Sequence, residues 1–324
     1  MGSYSGCMAA HPVQVLPGRD VPLGGLRALT VRRSLPHRDR SFVGAWCFVD
    51  HYGPEEVGDG EHVMDVPPHP HTGLQTVSWL FEGVVQHDDS GGVSTRVLPG
   101  EVNLMTAGSG IAHSEVSTDE TELLHGVQLW TVLPDADRFT ERRFEHHAPA
   151  PTELPDGAGT ALVFIGEVAG VDRSPVVTST PLLGAQLDLR PGADLTLPVD
   201  PAFEHGVLLD VGDVSVTAGT DDLTDLAFGD LACLDPGPGS LRLVAGPDGA
   251  RVILIGGTPF DEEIVMWWNF IGRSHEEIEE FRAAYEGGSE QFGEVPAYYG
   301  GRTRIPAPPL PPVRLRPRNR KGKA

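Results

Sequence analysis

The sequence predicts an all-β fold of sandwich or barrel type, built as two similar halves. Three observations carry this expectation. The 324 residues include 40 glycines and 29 prolines, which punctuate the chain throughout. Between them lie short runs rich in Val, Leu and Thr that end at turn formers, as strands do. The same spacing of glycines then recurs in each half.

In chain order the runs are TVSWLFEG (76–83), GVVQH (83–87), VNLMTAG (102–108), LLHGVQLWTVLP (123–134) and ALVFIGEVAG (161–170). They continue with AQLDLRPG (185–192), GVLLDVGDVSV (206–216), LRLVAG (241–246) and RVILIGG (251–257). Many short strands at this spacing indicate a sandwich or barrel. One helix is expected from Ser274 to about Tyr285. Ser274 is an N-cap with Glu277 three residues on, a capping box. Ile278, Phe281 and Tyr285 then recur on one helical face. The final stretch, RIPAPPLPPVRLRPRNRKGKA, has the composition of an extended or disordered tail.

Gly83 and Gly100 repeat as Gly212 and Gly229, an offset of 129. Under it, Gly100-Glu-Val-Asn-Leu-Met-Thr-Ala-Gly108 overlies Gly229-Asp-Leu-Ala-Cys-Leu-Asp-Pro-Gly237. Both read Gly, acid, apolar, two residues, apolar, two residues, Gly. This predicts a duplication with a Pro-rich linker near 146–156. The expected domains are 1–147, 148–290 and a basic tail, 291–324.

Charge excludes several partners. Net charge is −22, with 20 acids and 10 arginines in residues 1–150 and 26 acids and 6 arginines in 151–300. The last 24 residues carry eight basic groups and no acid. A folded body this acidic repels phosphates, so nucleic acid is not the expected ligand. No apolar run approaches the roughly 18 residues of a membrane span. The start, MGSYSGCMAAHPVQ, lacks the charged and apolar regions of a signal peptide, and Gly6 breaks a myristoylation pattern. Cys7, Cys47 and Cys233 form no C-x-x-C pair. A cytoplasmic location is expected.

Eleven of the 13 histidines precede residue 148. His69 and His71 are two apart, as are His113 and Glu115. On a strand such pairs project from one face. Two pairs facing each other inside a barrel would set three imidazoles and one carboxylate around one metal ion. Imidazole suits iron, copper, nickel and zinc, and the carboxylate oxygen fits a divalent ion. On an octahedral ion, two positions would remain open for substrate or oxygen. Gly108 and Gly110 allow a sharp turn into the second pair. Under the offset of 129 the four positions become Pro198, Asp200, Arg242 and Val244, so one metal per chain is expected.

PHPHTGLQTVSWLFEG, HDDSGG, PGEVNLMTAGSGIAHSE and LHGVQLW together resemble the pirin family of the cupin superfamily. VRRSLPHRDRSFVGAWCFVDHYGP and GTPFDEEIVMWWNFIGRSHEEIEEF are similar to that family's opening and closing segments. The resemblance covers residues 28–135 closely and the second half more loosely, and leaves out 1–15 and 305–324. It implies a bicupin of two jelly-roll β-barrels with a short C-terminal helix. It also implies a metal held in the N-terminal barrel alone by His69, His71, His113 and Glu115. That metal is Fe(II) first, with Ni, Cu, Zn, Mn or Co as alternatives. Animal members carry Glu where this chain has Gln75, so proton transfer falls to Glu115 or to water.

Two functions follow from the resemblance. One is a dioxygenase of the quercetin 2,3-dioxygenase type, which opens a flavonol or similar enolic ring with O2 and releases carbon monoxide, with Glu115 as catalytic base. The other is a non-catalytic, redox-sensitive regulator that binds protein partners such as transcription regulators. The remaining polar residues carry blander expectations. His87, Asp88 and Asp89 read as a solvated turn, His125 as a core histidine, His146 and His147 as linker residues, and His62 as a loop residue. Trp46 and Trp79 read as core, and Cys47 as redox-sensitive only if exposed.

Overall fold

A computed structural model describes residues 12–23, 29–58, 62–219, 222–298, 303–320 and 322–323. Cys7 lies outside the described residues. The chain divides into two compact units. The first in function comprises Arg19–Pro149, Val176–Thr180 and Phe260–Ala324; the other comprises Met1–Gly18, Ala150–Pro175 and Pro181–Pro259. Strand β1 (Gln14–Leu16) belongs to the second unit, where it pairs with Leu231–Leu234.

The first unit is a two-sheet β-sandwich of antiparallel strands. Its strands are β2 (Arg19–Pro22), β3 (Thr30–Leu35), β4 (Trp46–Glu56), β5 (Asp65–His71), β6 (Leu74–Glu82) and β7 (Val85–Asp89). They continue with β8 (Ser94–Val97), β9 (Val102–Thr106), β10 (Ile111–Ser117), β11 (Leu123–Val132) and β12 (Arg143–His147). One sheet has the order β12-β9-β6-β11-β4-β3-β2, the other β5-β10-β7-β8. Strands β6, β9 and β10 are apolar or buried almost without alternation, because both of their faces are covered. β5 carries Pro67, Pro68 and Pro70 and sits at a sheet edge, where missing N–H donors are tolerated.

The second unit is also antiparallel, with the long strands Glu204–Thr217 and Ser240–Gly257 at its centre. The expected repeat is present in its register. Thr76↔Met105, Val77↔Leu104 and Ser78↔Asn103 recur, 129 residues on, as His205↔Leu234, Gly206↔Cys233 and Val207↔Ala232. Val85↔Val97 likewise recurs as Val214↔Leu226. Gly83 and Gly212 both take positive φ, +90° and +81°, and a Cβ there would lie 2.6 Å from the Leu123 carbonyl or 2.1 Å from that of Gly249. These glycines are needed both for the turn and for the close approach.

The offset does not hold in β5 and β10. His69↔His113 corresponds to Leu197↔Leu241, and Pro70↔Ala112 to Pro198↔Ser240, both at an offset of 128. The turn before β10 is one residue longer in the first half, and β5 has a matching register shift. Because strand side chains alternate, a one-residue slip moves every side chain to the opposite face. The counterparts of His69, His71, His113 and Glu115 are therefore Leu197, Val199, Leu241 and Leu243. This corrects the expected Pro198, Asp200, Arg242 and Val244, of which Arg242 points outward and pairs with Asp194.

Helix α1 (His275–Glu286) forms where expected, with the Ser274 hydroxyl accepting from the Glu277 N–H at 3.2 Å. The return bond of a capping box is not made: the Glu277 carboxylate accepts from the Arg273 N–H instead, at 2.7 Å. Ile278, Phe281 and Tyr285 pack with Phe270, Phe292 and Ala112. The helix thus belongs to the unit that holds the histidine cluster, whereas residues 148–290 were expected to form one domain.

The tail departs from expectation in residues 303–320, which are laid along the first unit. Ile305 donates its N–H to the Pro68 carbonyl at 2.8 Å. Arg318 and Ile264 exchange both backbone hydrogen bonds, at 2.8 and 3.1 Å, and Ser41 donates to the Arg320 carbonyl at 3.1 Å. Arg314 pairs with Glu276 through both guanidinium nitrogens. Composition identified a segment unable to build its own core. The helix face supplies one, and Ala307, Leu310 and Leu315 pack on it.

Candidate metal centre

β5 and β10 are paired so that His113 lies opposite His69. β7 flanks β10 on its other side, with Asp89 opposite His113 and His87 opposite Glu115. Directly opposed residues on one face of antiparallel strands approach closely. Six titratable groups therefore converge on one interior face. One ligand atom from each of His69, His71 and His113 lies within 4.8 Å of the others, and the same holds for His87, His113 and Glu115. The two groups share His113. Glu115 is thus brought to the cluster through His113 rather than into mutual reach of every imidazole.

Hydrogen bonds orient the rings. His69 Nδ1 meets the Pro67 carbonyl at 3.0 Å, which makes Nδ1 the donor and turns the Nε2 lone pair inward. His71 Nε2 and His113 Nε2 face each other at 3.0 Å. His113 Nδ1 lies 3.4 Å from His87 Nδ1, and His87 Nε2 is 3.3 Å from Asp89 Oδ2. Asp89 Oδ1 in turn accepts from the N–H groups of Gly91 (2.7 Å) and Val93 (3.1 Å). This chain of contacts fixes His113 from behind, as a carboxylate–histidine pair does around a metal ligand. Both hydrogen bonds to Glu115 fall on Oε1, from Ser78 at 3.2 Å and Gln128 at 3.3 Å.

Burial sets the protonation. Desolvation lowers the His69 pKa to about 4, assisted by the nearby His87. It pushes His71 and His113 well below the usual histidine range. It raises the Glu115 carboxyl above the usual range, with opposing contributions from His87, Ser78 and Gln128. At neutral pH three imidazoles are therefore uncharged, with lone pairs directed together, beside a carboxylate short of solvation. That donor set fits a divalent cation, which uses neutral imidazole and offsets a buried negative charge.

A cavity of about 460 Å³ opens over His69, His71 and Glu115. Such a volume lies within the range of small-molecule sites, roughly 300–1,000 Å³. Phe48 and Trp130 stack at 4.0 Å and 10° in its wall. Arg33 lies 4.2 Å over the Phe48 ring and makes two 2.7 Å bonds to the buried Asp50 carboxylate. Trp268 stands at the first position of the two-residue turn joining Val265–Trp267 to Phe270–Gly272 and has φ +52°. For a bulky residue this is a strained conformation, of the kind concentrated at functional sites.

Of the four residues expected as ligands, His69, His71 and His113 form one group, and Glu115 joins a second that shares His113. His87, Asp88 and Asp89 are buried rather than solvated, each at most 3% exposed. A turn does follow them, with the Gly92 N–H donating to the Asp89 carbonyl, but the three residues themselves end an interior strand. Gln75 is held between Thr106 and Thr131, at 2.9 and 3.2 Å, and is not part of the cavity wall. His125 packs in the core against His51 and Phe81. His146 and His147 lie on β12 rather than in a linker, and His146 pairs with Glu101 at 2.7 Å. His62 contacts the Ser117 carbonyl at 2.6 Å.

Trp46 and Trp79 are core residues. Cys47 is buried, its thiol pushed upward by desolvation, which removes it as a redox-sensitive thiol. The aromatic wall comes instead from Phe48, Trp130 and Trp268. Gln128 and Trp130 are two apart on β11, so period-two spacing was the available signal for that pair.

Residues 28–131 match the Pirin family, and residues 184–292 match the Pirin C-terminal cupin domain. The chain belongs to the pirin family. A pirin relative of Pseudomonas aeruginosa, provisionally named quercetin 2,3-dioxygenase, is 42% identical over 93% of this chain and 91% of its own length. Human pirin is 33% identical over 79% of this chain and 88% of its own. The crystal structure of a quercetin 2,3-dioxygenase from Acinetobacter baumannii superposes with TM-score 0.86 at 38% identity, covering 94% of this chain and 97% of that one. The all-β, two-domain architecture of this chain is shared with that structure. Among the described residues, no helix is long and apolar enough to cross a membrane.

Proposed function

We propose that this pirin is a metal-dependent dioxygenase of the quercetin 2,3-dioxygenase type, acting on a flavonol or similar enolic substrate with O2. The observation that supports it most is the set of uncharged imidazoles and a desolvated carboxylate at the base of an aromatic-walled cavity. His69, His71, His113 and Glu115 would hold one divalent ion, Fe(II) by family resemblance. When bound, that ion supplies Lewis acidity toward the enol oxygen.

The chain's own groups provide the rest. Glu115 would take the enol proton. Ser78 and Gln128 anchor Oε1, which leaves Oε2 for that proton, and burial raises its basicity toward the working range of a general base. The Phe48–Trp130 stack offers a flat face for an aromatic ring, and Trp268 forms a further aromatic side. Asp89 and His87 keep His113 in one tautomer and orientation.

The test is flavonol loss by metal-loaded protein in air and under nitrogen, alongside the metal content. Oxygen-dependent loss that disappears in His69→Ala and in Glu115→Ala is the expected result. A metal-loaded protein that leaves a range of flavonols and other enols intact in air would overturn the enzyme reading and favour the partner-binding regulator.

A further inference from the structure

The wall of the metal cavity contains a cation with no ion-pair partner among the described residues. Arg318 lines the cavity and is half-buried, yet no carboxylate among the described residues bonds its guanidinium. Buried and half-buried charges are ordinarily paired. The contrast with Arg33 on the same wall is direct, because Arg33 is neutralised by Asp50 through two 2.7 Å bonds. Arg19 adds a second positive charge nearby and donates to the Pro36 carbonyl at 3.1 Å. In a chain of net charge −22, two arginine charges, those of Arg318 and Arg19, thus lie near one another at this wall.

Position makes this more than an incidental surface arginine. Arg318 lies beyond the residues matched to the family, in the tail strapped along the metal-bearing unit. Its main chain is fixed by the paired bonds with Ile264, so the side chain is presented from a held backbone. The neighbouring anchors, Ser41 to Arg320 and Arg314 to Glu276, hold the strap on both sides of it. Guanidinium is suited to carboxylate and other anionic oxygens in a planar geometry.

We propose that Arg318 is a specificity determinant, receiving an anionic oxygen (carboxylate or phenolate) at the end of a planar enolic substrate remote from the histidines. This rests on the enol reading of the same cavity and narrows it to an anionic substrate class. The charge of Arg318 attracts the distal group, and the strap that carries it becomes part of the substrate site.

The experiment is calorimetric titration of nickel(II)-loaded protein under nitrogen, where no turnover occurs. Three probes are used: 3-hydroxyflavone, its 4′-carboxylate and its 4′-hydroxy analogue. The wild type is expected to prefer the carboxylate over the parent by about tenfold, the scale of one charge-assisted hydrogen bond. Arg318→Gln should abolish that preference while leaving the affinity for 3-hydroxyflavone unchanged, and Arg318→Lys should keep part of it. A gain for the 4′-hydroxy probe only at pH high enough to ionise the phenol, also lost in Arg318→Gln, would assign a phenolate. Equal preference in wild type and Arg318→Gln, or no preference for either anion in the wild type, overturns the assignment. Oxidation of flavonols in air without any charge preference would remove Arg318 and keep the dioxygenase. A charge preference without oxidation would do the reverse.

Discussion

The two cupin halves share a framework and differ at every position that carries chemistry. With the one-residue slip included, His69, His71, His113 and Glu115 correspond to Leu197, Val199, Leu241 and Leu243. His87 and Asp89 correspond to Val216 and Ala218, while the paired Ser78 and Gln128 correspond to the paired Val207 and Leu254. In the second half these side chains form or pack on a continuous apolar core. The first half fills the same space with imidazoles and carboxylates. Burial of apolar atoms stabilises the second half directly. The first half instead bears the cost of desolvating polar groups, which a bound cation would offset. The difference teaches that the second half folds with an apolar core where the first half has its polar cluster.

Exchanging residues between the halves tests this comparison. The largest effect is expected for His113→Leu, which installs the second half's residue. Metal affinity should fall by more than about hundredfold, since outer-shell changes alone cost roughly 10–100-fold. The circular dichroism of a folded β-protein should be retained. Loss of fold instead would show that the polar cluster is structural. In the other half, Leu241→Ala should lower stability by about 2–5 kcal/mol, read from urea unfolding, as a cavity replaces a buried leucine. Metal stoichiometry should not change.

A smaller effect is expected behind the ligands. Asp89→Asn or His87→Phe should weaken metal binding by about 10–100-fold without unfolding the chain, because His113 loses its orienting partner. Competitive titration with a metal indicator measures this, and an unchanged affinity would remove the positioning role. The smallest effect is on pH. Desolvation by burial lowers the His69 pKa from the ordinary 6.5 of an imidazole to about 4 in the folded chain. Below pH 6.5 the unfolded chain therefore binds a proton that the folded chain refuses, and stability of the metal-free protein falls as pH drops toward 4. His69→Leu should make that decline shallower, by about 1 kcal/mol over the first pH unit below 6.5.

The clustering of His69, His71 and His113 was legible because strand periodicity is local: two residues apart means one face, and the sequence displays both pairs. The duplication was legible for the same reason, through glycines whose turns require them. The slip was not, since one added residue before β10 changes no motif yet reverses which side chains face inward. His87 and Asp89 were hidden by the Asp-Asp-Ser-Gly-Gly that follows His87, which local chemistry reads as a turn. Their role comes from β10, whose His113 and Glu115 are distant in sequence. Arg33, Trp268 and Arg318 reach the cavity from three separated segments, and only the tertiary fold unites them. The tail failed as a prediction because its partners, α1 and the edge of β5, lie outside its own composition.

The most direct test is an experimental structure of the metal-loaded protein with anomalous scattering collected at the metal edge. One ion per chain is predicted, bonded to Nε2 of His69, His71 and His113 and to the Glu115 carboxylate at about 2.0–2.2 Å. The apolar interior around Leu197 and Leu241 should hold none. An ion in the second half, or one bound without His113 and Glu115, would contradict the account.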